Sequence, residues 1–572
     1  MSGNGLSLFS VMKKLRWQFL VVALTLVVVA ALLLTQQPAI NPILPQPASG
    51  GIYTEALVGS FGRLNPLLDL NNPADRDVDR LLFSSLIRFD SRGVPQPDLA
   101  ESWGVSADGT VYNVTLRGNA TWHDGTPVTS DDVIFTLGLL RSQYSAYTLD
   151  VHNLWDGVQI TRLNDKNIKF VLSEPFVPFL DYLTFGILPK HLLDTVAPDQ
   201  LVSTGFNMAP VGSGPYKFDH LMVEGGKITG VVLTVSKNYF GQIPFVEQIV
   251  FRYYPSAQAA LTAYQAGEVL GISQITLDVL PAALSEKNLS LFSSRMPRVS
   301  LILLNLGDKQ LPFFQDKKVR NALMLDLNRQ WIINKLLQGQ GIVADSPILP
   351  GTWAYYDGVD HIVFDPDAAI AELKAAGYIL PPNGSVRTKD TVSLSFTMVY
   401  PDDGLHTQLA QAIQQGWTAI GVDVKLKAVS YDSLLNDYLT PRSYQAALVD
   451  LDLSHSYDPD PYPFWHQAEI TGGQNYSQWD NRTASEYIEQ ARVVADPAVR
   501  TRLYRNFQVV FSRELPALLL YYPVYTYAVD QRMQGVQAAP LFESADRFNG
   551  IANWYLITRR SLDNTPQPTV GP

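Results

Sequence analysis

Apolar and polar positions alternate along ESWGVSADGTVYNVTLR (101–117) on both sides of Asp108-Gly109. Strand side chains alternate faces, and glycine enters the left-handed region of a tight turn at little cost, so the pattern predicts a hairpin. In TWHDGTPVTSDDVIFTLGLL (121–140) a second Asp-Gly turn precedes Thr129, which stands three residues before Asp132. That is the spacing of a capping box at a helix start. In VFDPDAAIAELKAAGY (363–378) the period lengthens to that of a helix, with Asp365 as its N-cap, Pro366 in the first position and Gly377 at its end. The segment 405–429 reads as a helix ended by Gly421 and a strand through Val422, Val424 and Leu426. Further on, a helix is expected to open on a capping box of Thr483 and Glu486, and another on Asp496-Pro497. PALLLYYPVYTYAV (516–529) then predicts a buried strand interrupted by Pro523. Helix-to-strand units of this kind indicate an α/β architecture.

One stretch breaks the pattern. WQFLVVALTLVVVAALLLT (17–35) carries no charge and follows Lys13, Lys14 and Arg16. At ~1.5 Å per residue such a helix matches a bilayer's hydrocarbon layer, and the positive flank orients the remainder outward. A transmembrane anchor is expected at 17–35, with 1–16 cytoplasmic and a Pro-rich spacer over 36–50. LLLTQQPA is a poor site for signal-peptide cleavage.

Composition then removes whole function classes. A length of 572 residues implies two or three domains. The net charge of −11 argues against a nucleic-acid partner. With no cysteine, disulfides, thiolate metal sites, cysteine nucleophiles and lipidation at a cysteine are all excluded. Eight scattered histidines and no H-E-x-x-H give no zinc pattern, so neither cofactor nor metal is expected. His123-Asp124 and Gly212-Ser213-Gly214 read as turns rather than reactive motifs.

LAESWGVSADGTVYNVTLRGNATWHDGTPVTSDDVIFTL (99–137) resembles the signature of the family 5 extracytoplasmic solute-binding proteins, the peptide- and nickel-type receptors of ABC importers. PVGSGPYKF (210–218), 249–269, 313–341, 475–492 and 503–525 extend the likeness in family order. The ending GEVL (267–270) departs from the family's GEID type. The resemblance implies a class II periplasmic-binding fold, two α/β lobes joined by hinge strands with an extra subdomain. Lobe I is expected over 50–75, 203–297 and 530–560, its subdomain over 76–202, lobe II over 298–529, and a loose tail over 561–572.

LDLSHSYDPDPYPFWH (451–466) packs three aspartates, two histidines and four aromatics between prolines. By the resemblance this loop grips ligand. Peptide-binding relatives place an aspartate for the ligand's α-amino group just upstream of the D-P motif, where this chain has His455 and Ser456. Asp452, His455, Asp458 and Trp465 are the candidates here, with Leu64 and Asn65 after the first strand and Trp353, Tyr355 and Tyr356 near the cleft mouth. The implied function is a tethered monomeric receptor, not an enzyme, that passes a small solute to an ABC permease and ATPase. Peptides are favoured over oligosaccharides and nickel chelates. The rivals are a hydrolase using Asp452 and Asp458 as a carboxylate pair, and a receptor that has lost transport.

Overall fold

The computed structural model describes residues 17, 20–30, 45–145, 149–454 and 457–560. It divides into two units, one of 1–48 and 557–572 and the other of 49–556. In the first, strand Pro45–Ala48 pairs antiparallel with Ile557–Arg560, and residues 20–30 are helical. The expected anchor at 17–35 lies partly outside the described residues. Among those described, no helix is long and apolar enough to cross a membrane.

The second unit is built on a twelve-stranded mixed sheet. Its spine is one 14-residue strand, Ala517–Asp530. The first half of this strand pairs with Arg298–Leu304 and Gly341–Val343, and the second half with Leu289–Arg295. Pro523 therefore does not interrupt the strand as the sequence predicts. It stands where the partners change, and its carbonyl accepts from the Met296 N–H at 2.9 Å. Proline's missing donor is tolerated where a ladder is already being exchanged. The chain also passes between the two sheet halves at 295–298, so two adjacent segments join them.

The half-sheet beyond Arg298 has a core on each face. Ile302 and Leu304 point to Phe396, Met398 and Trp417, while Leu301 and Leu303 point to Val449, Tyr504 and Phe511. Strands covered on both faces read as unbroken apolar runs, which explains RVSLILL. The other half-sheet has Ile52–Val58 parallel to Gln248–Tyr254 and Lys227–Val235 antiparallel beyond it. A separate four-stranded sheet contains the expected hairpin, Ala100–Val105 with Val111–Leu116.

Most predicted caps form. The Asp132 carboxylate accepts from the Thr129 N–H at 2.8 Å, and Asp365 and Asp496 cap their helices. The Thr483–Glu486 box does not. That helix starts earlier, at Arg482, because the Asn481 side chain accepts from the Ala484 N–H. Glu486 instead pairs with Arg482 one turn back, at 2.9 Å.

Candidate functional site

A cavity of about 730 Å³ lies within the second unit, lined mainly by helices and loops that come both before and after the 295–298 crossing. One wall is the helix Pro73–Leu82 and the segment leading into it. A second includes Trp155 and Asp181. The third is the Pro-rich loop, through Asp452, Leu453 and Ser454 and then residues between Tyr457 and Trp465.

The Pro-rich loop is positioned mainly by charge and aromatic packing. Asp458 is 7 % exposed, and its carboxylate takes both Arg500 nitrogens, Nη1 at 2.8 Å and Nη2 at 2.9 Å. This two-pronged geometry suits a guanidinium and makes burial of the charge tolerable. The Trp353 ring lies 5.0 Å from the same guanidinium. Asp460 pairs with Arg492 Nε at 3.0 Å, and Arg492 is stacked between Phe176 and Tyr462. Burial pushes the Asp460 carboxyl up to about 6, although Arg492 favours its charged form.

The loop also seats on elements of the other half. The Asp458 N–H donates to Asp181 Oδ2 at 2.8 Å. The Tyr457 ring stacks on Phe89 at 4.7 Å and meets Phe542 at 4.9 Å. Nearby, the Trp353 N–H donates to the Arg92 carbonyl at 3.0 Å.

Of the residues expected from sequence, Asp452, Asp458 and Trp465 line the cavity. Asp452 is exposed and meets Arg298 at 3.3 Å. Trp465 is buried, edge-on to Phe511 at 4.7 Å. His455 and the neighbouring Ser456 lie outside the described residues. Leu64, Asn65, Trp353 and Tyr355 are not among the residues that line the cavity. Asn65 is fully buried; its amide donates to Asn207 Oδ1 and its side-chain oxygen accepts from the Leu67 N–H, both at 3.0 Å. Tyr355 packs against the core beneath the loop. Asp452 and Asp458, the carboxylates a hydrolase would have to pair, are each bonded to a different arginine.

The two suspected turn motifs turn out to be one device. His123 Nδ1 accepts from the Gly212 N–H at 3.1 Å, and Nε2 stands 3.0 Å from the Gly214 carbonyl. Burial pulls this imidazole down to about 4, so it is neutral. A Cβ at Gly212 would lie 1.9 Å from the Leu82 carbonyl oxygen, which explains the glycine.

The sequence reading missed Asp69 and Asp79, both buried in the cavity wall. The signal was present in PADRDVDRLL, where Asp75 and Asp79 fall four apart beside the apolar Val78, Leu81 and Leu82. Carboxylates on a helix's buried face are costly and call for an explanation.

Residues 94–475 match the model of the bacterial extracellular solute-binding proteins, family 5 (Middle). The chain belongs to this family. Family 5 relatives align along most of its length. The oligopeptide-binding protein AppA of Bacillus subtilis (strain 168) is 27% identical over 521 residues, 89% of this chain and 92% of that one. The dipeptide-binding protein of Escherichia coli (strain K12) is 26% identical over 500 residues, 80% of this chain and 90% of that one. Among solved structures, AppA from Bacillus subtilis in complex with a nonapeptide superposes with a TM-score of 0.65 at 25% identity, covering 90% of this chain and 100% of that one. HbpA2 from Haemophilus parasuis reaches a TM-score of 0.76 at 22% identity, over 87% and 99%, and shows the shared α/β fold.

Proposed function

We propose that the protein captures peptides in the cavity between two lobes and delivers them to an ABC importer, without breaking a bond. The observation that carries this reading is a roomy cavity lined by helices and loops from both sides of the 295–298 crossing, where the half-sheets meet through two adjacent chain segments. The solved relative bound to a nonapeptide supports the ligand class. The lobes are taken as 50–75, 203–297 and 530–560 against 298–529, with 76–202 as subdomain. Hinge bending at 295–298 and near Pro523 opens the cavity, and closure signals occupancy to the permease and ATPase. Asp452, Asp458 and Trp465 form the solute-facing loop together with His455, while Leu64, Asn65, Trp353 and Tyr355 support the walls. The apolar 17–35 segment tethers a monomer outside the membrane.

Native mass spectrometry of the gently purified full chain tests this. A bound mixture of masses that sequence as peptides is expected. A sugar, a metal chelate or an empty protein overturns the peptide assignment.

A further inference from the structure

The acids that line the cavity are not equivalent. Asp458, Asp460 and Asp452 are matched to Arg500, Arg492 and Arg298. Glu543 takes Arg76 and Arg80, and Arg80 also meets Asp546 at 3.1 Å. Asp98 accepts from the Ser85 N–H and hydroxyl. Asp79 differs from all of these. It is 3 % exposed, and among the described residues neither carboxylate oxygen meets a donor at hydrogen-bonding geometry other than the carboxyl of Asp69. Beside it is Asp69, 8 % exposed and also in the wall.

A buried carboxylate whose one hydrogen-bonding neighbour is a second carboxyl is expensive, and in the wall of a ligand cavity a donor brought by the ligand would relieve that cost. We propose that Asp69 and Asp79 form a subsite for an organic ammonium group of the bound solute. The inference rests on the peptide reading above and names the part of the peptide held there: its α-ammonium, or a lysine side chain of the same chemistry. Arg76 and Arg80 lie near, but their charge is shared with Glu543 and Asp546, so the pair keeps an excess of negative charge for a cation to neutralise.

The empty pair stores a proton. Burial, followed by the neighbouring Asp69 and Asp75 carboxylates, pushes Asp79 well up, while the backbone N–H of Asn65 favours the anion only weakly. Burial pushes Asp69 up to about 7 against the pull of Arg76 and Arg80. Asp75, whose carboxylate accepts from the Gly62 and Arg63 N–H groups, and Tyr253 complete the titratable groups around the pair. An arriving ammonium donates to both carboxylates and favours their ionised forms, so the shared proton leaves to solvent.

Calorimetric titration of the full chain at pH 7, in buffers of differing ionisation enthalpy, tests this with trialanine, N-acetyl-trialanine, N-acetyl-Ala-Lys-Ala and 1,5-diaminopentane. Trialanine is expected to bind at least tenfold more tightly than its N-acetyl form and to release a proton. Asp79→Asn should remove both the preference and the release. If N-acetyl-Ala-Lys-Ala regains the affinity, the lysine side chain is the ammonium held; if it does not, the α-ammonium is. The same preference and proton release in folded Asp79→Asn overturns the subsite, and Asp69→Asn decides the matter should Asp79→Asn fail to fold. If no peptide binds but the diamine does, and Asp79→Asn abolishes that binding, the subsite stands and the peptide reading falls. If none of the four binds, both fall.

Discussion

On the Pro-rich loop, Asp458 and Asp460 each meet an arginine that is itself packed against aromatic rings. On the helix Pro73–Leu82 and the segment before it, Asp79 and Asp69 share a wall of the same cavity; among the described residues neither has an arginine in ion-pair contact, the nearby Arg76 and Arg80 being paired with Glu543. Similar burial thus has two outcomes. A carboxylate matched inside the protein fixes a loop in place and asks nothing of a ligand. One left unmatched weakens the empty protein and rewards whatever cation enters. The loop that attracts the eye in sequence is, in structure, largely held by arginines and aromatic rings of other elements.

The largest break in this comparison comes from Arg500→Met. Removing the guanidinium takes the two-pronged cation from buried Asp458 and leaves it the Tyr504 hydroxyl at 3.3 Å, at a cost of about 3–5 kcal/mol in urea unfolding. Adding Asp458→Leu should recover most of that loss. A smaller, opposite effect is expected on the other wall: Asp79→Asn should stabilise the ligand-free chain by roughly 1–2 kcal/mol at pH 8, and by little at pH 5. The sign follows from linkage. An acid whose folded-state pKa is raised holds its proton more tightly in the folded state, so its contribution is full below the unfolded pKa near 4 and is lost as pH rises through the folded value. With Asp69 at about 7 and Asp460 at about 6, the ligand-free melting temperature should fall between pH 5 and pH 8. A flat profile would mean that these carboxyls are not held as described. The smallest effect belongs to Asp452→Asn. Its pair with Arg298 is exposed, so thermal unfolding should register within about 0.5 kcal/mol of the parent.

Much of the fold was legible because local rules and burial agreed. The hairpin at 108–109 and the helices opened by Asp365 and Asp496 form as their residues predict. The exceptions are cases where a neighbour outcompeted the expected residue. Asn481 captured the helix start from Thr483, and Pro523 sits inside a continuous strand because its partners change there. The site was harder to read. Asp458 stands out in sequence, but Arg500, 42 residues on, is what neutralises it, and no local pattern reveals that pairing. Asp79 was hidden for a related reason. Its helix is rich in both charges and looks solvent-facing until Asp75, Asp77 and Asp79 are seen to be buried.

Backbone hydrogen exchange of the full chain, with and without a pool of small peptides, tests the central claim most directly. Capture between the lobes predicts slower exchange on both walls together, over 69–83 and 457–465, with the hinge at 295–298 following. Unchanged exchange on both walls, or protection confined to one of them, would contradict it.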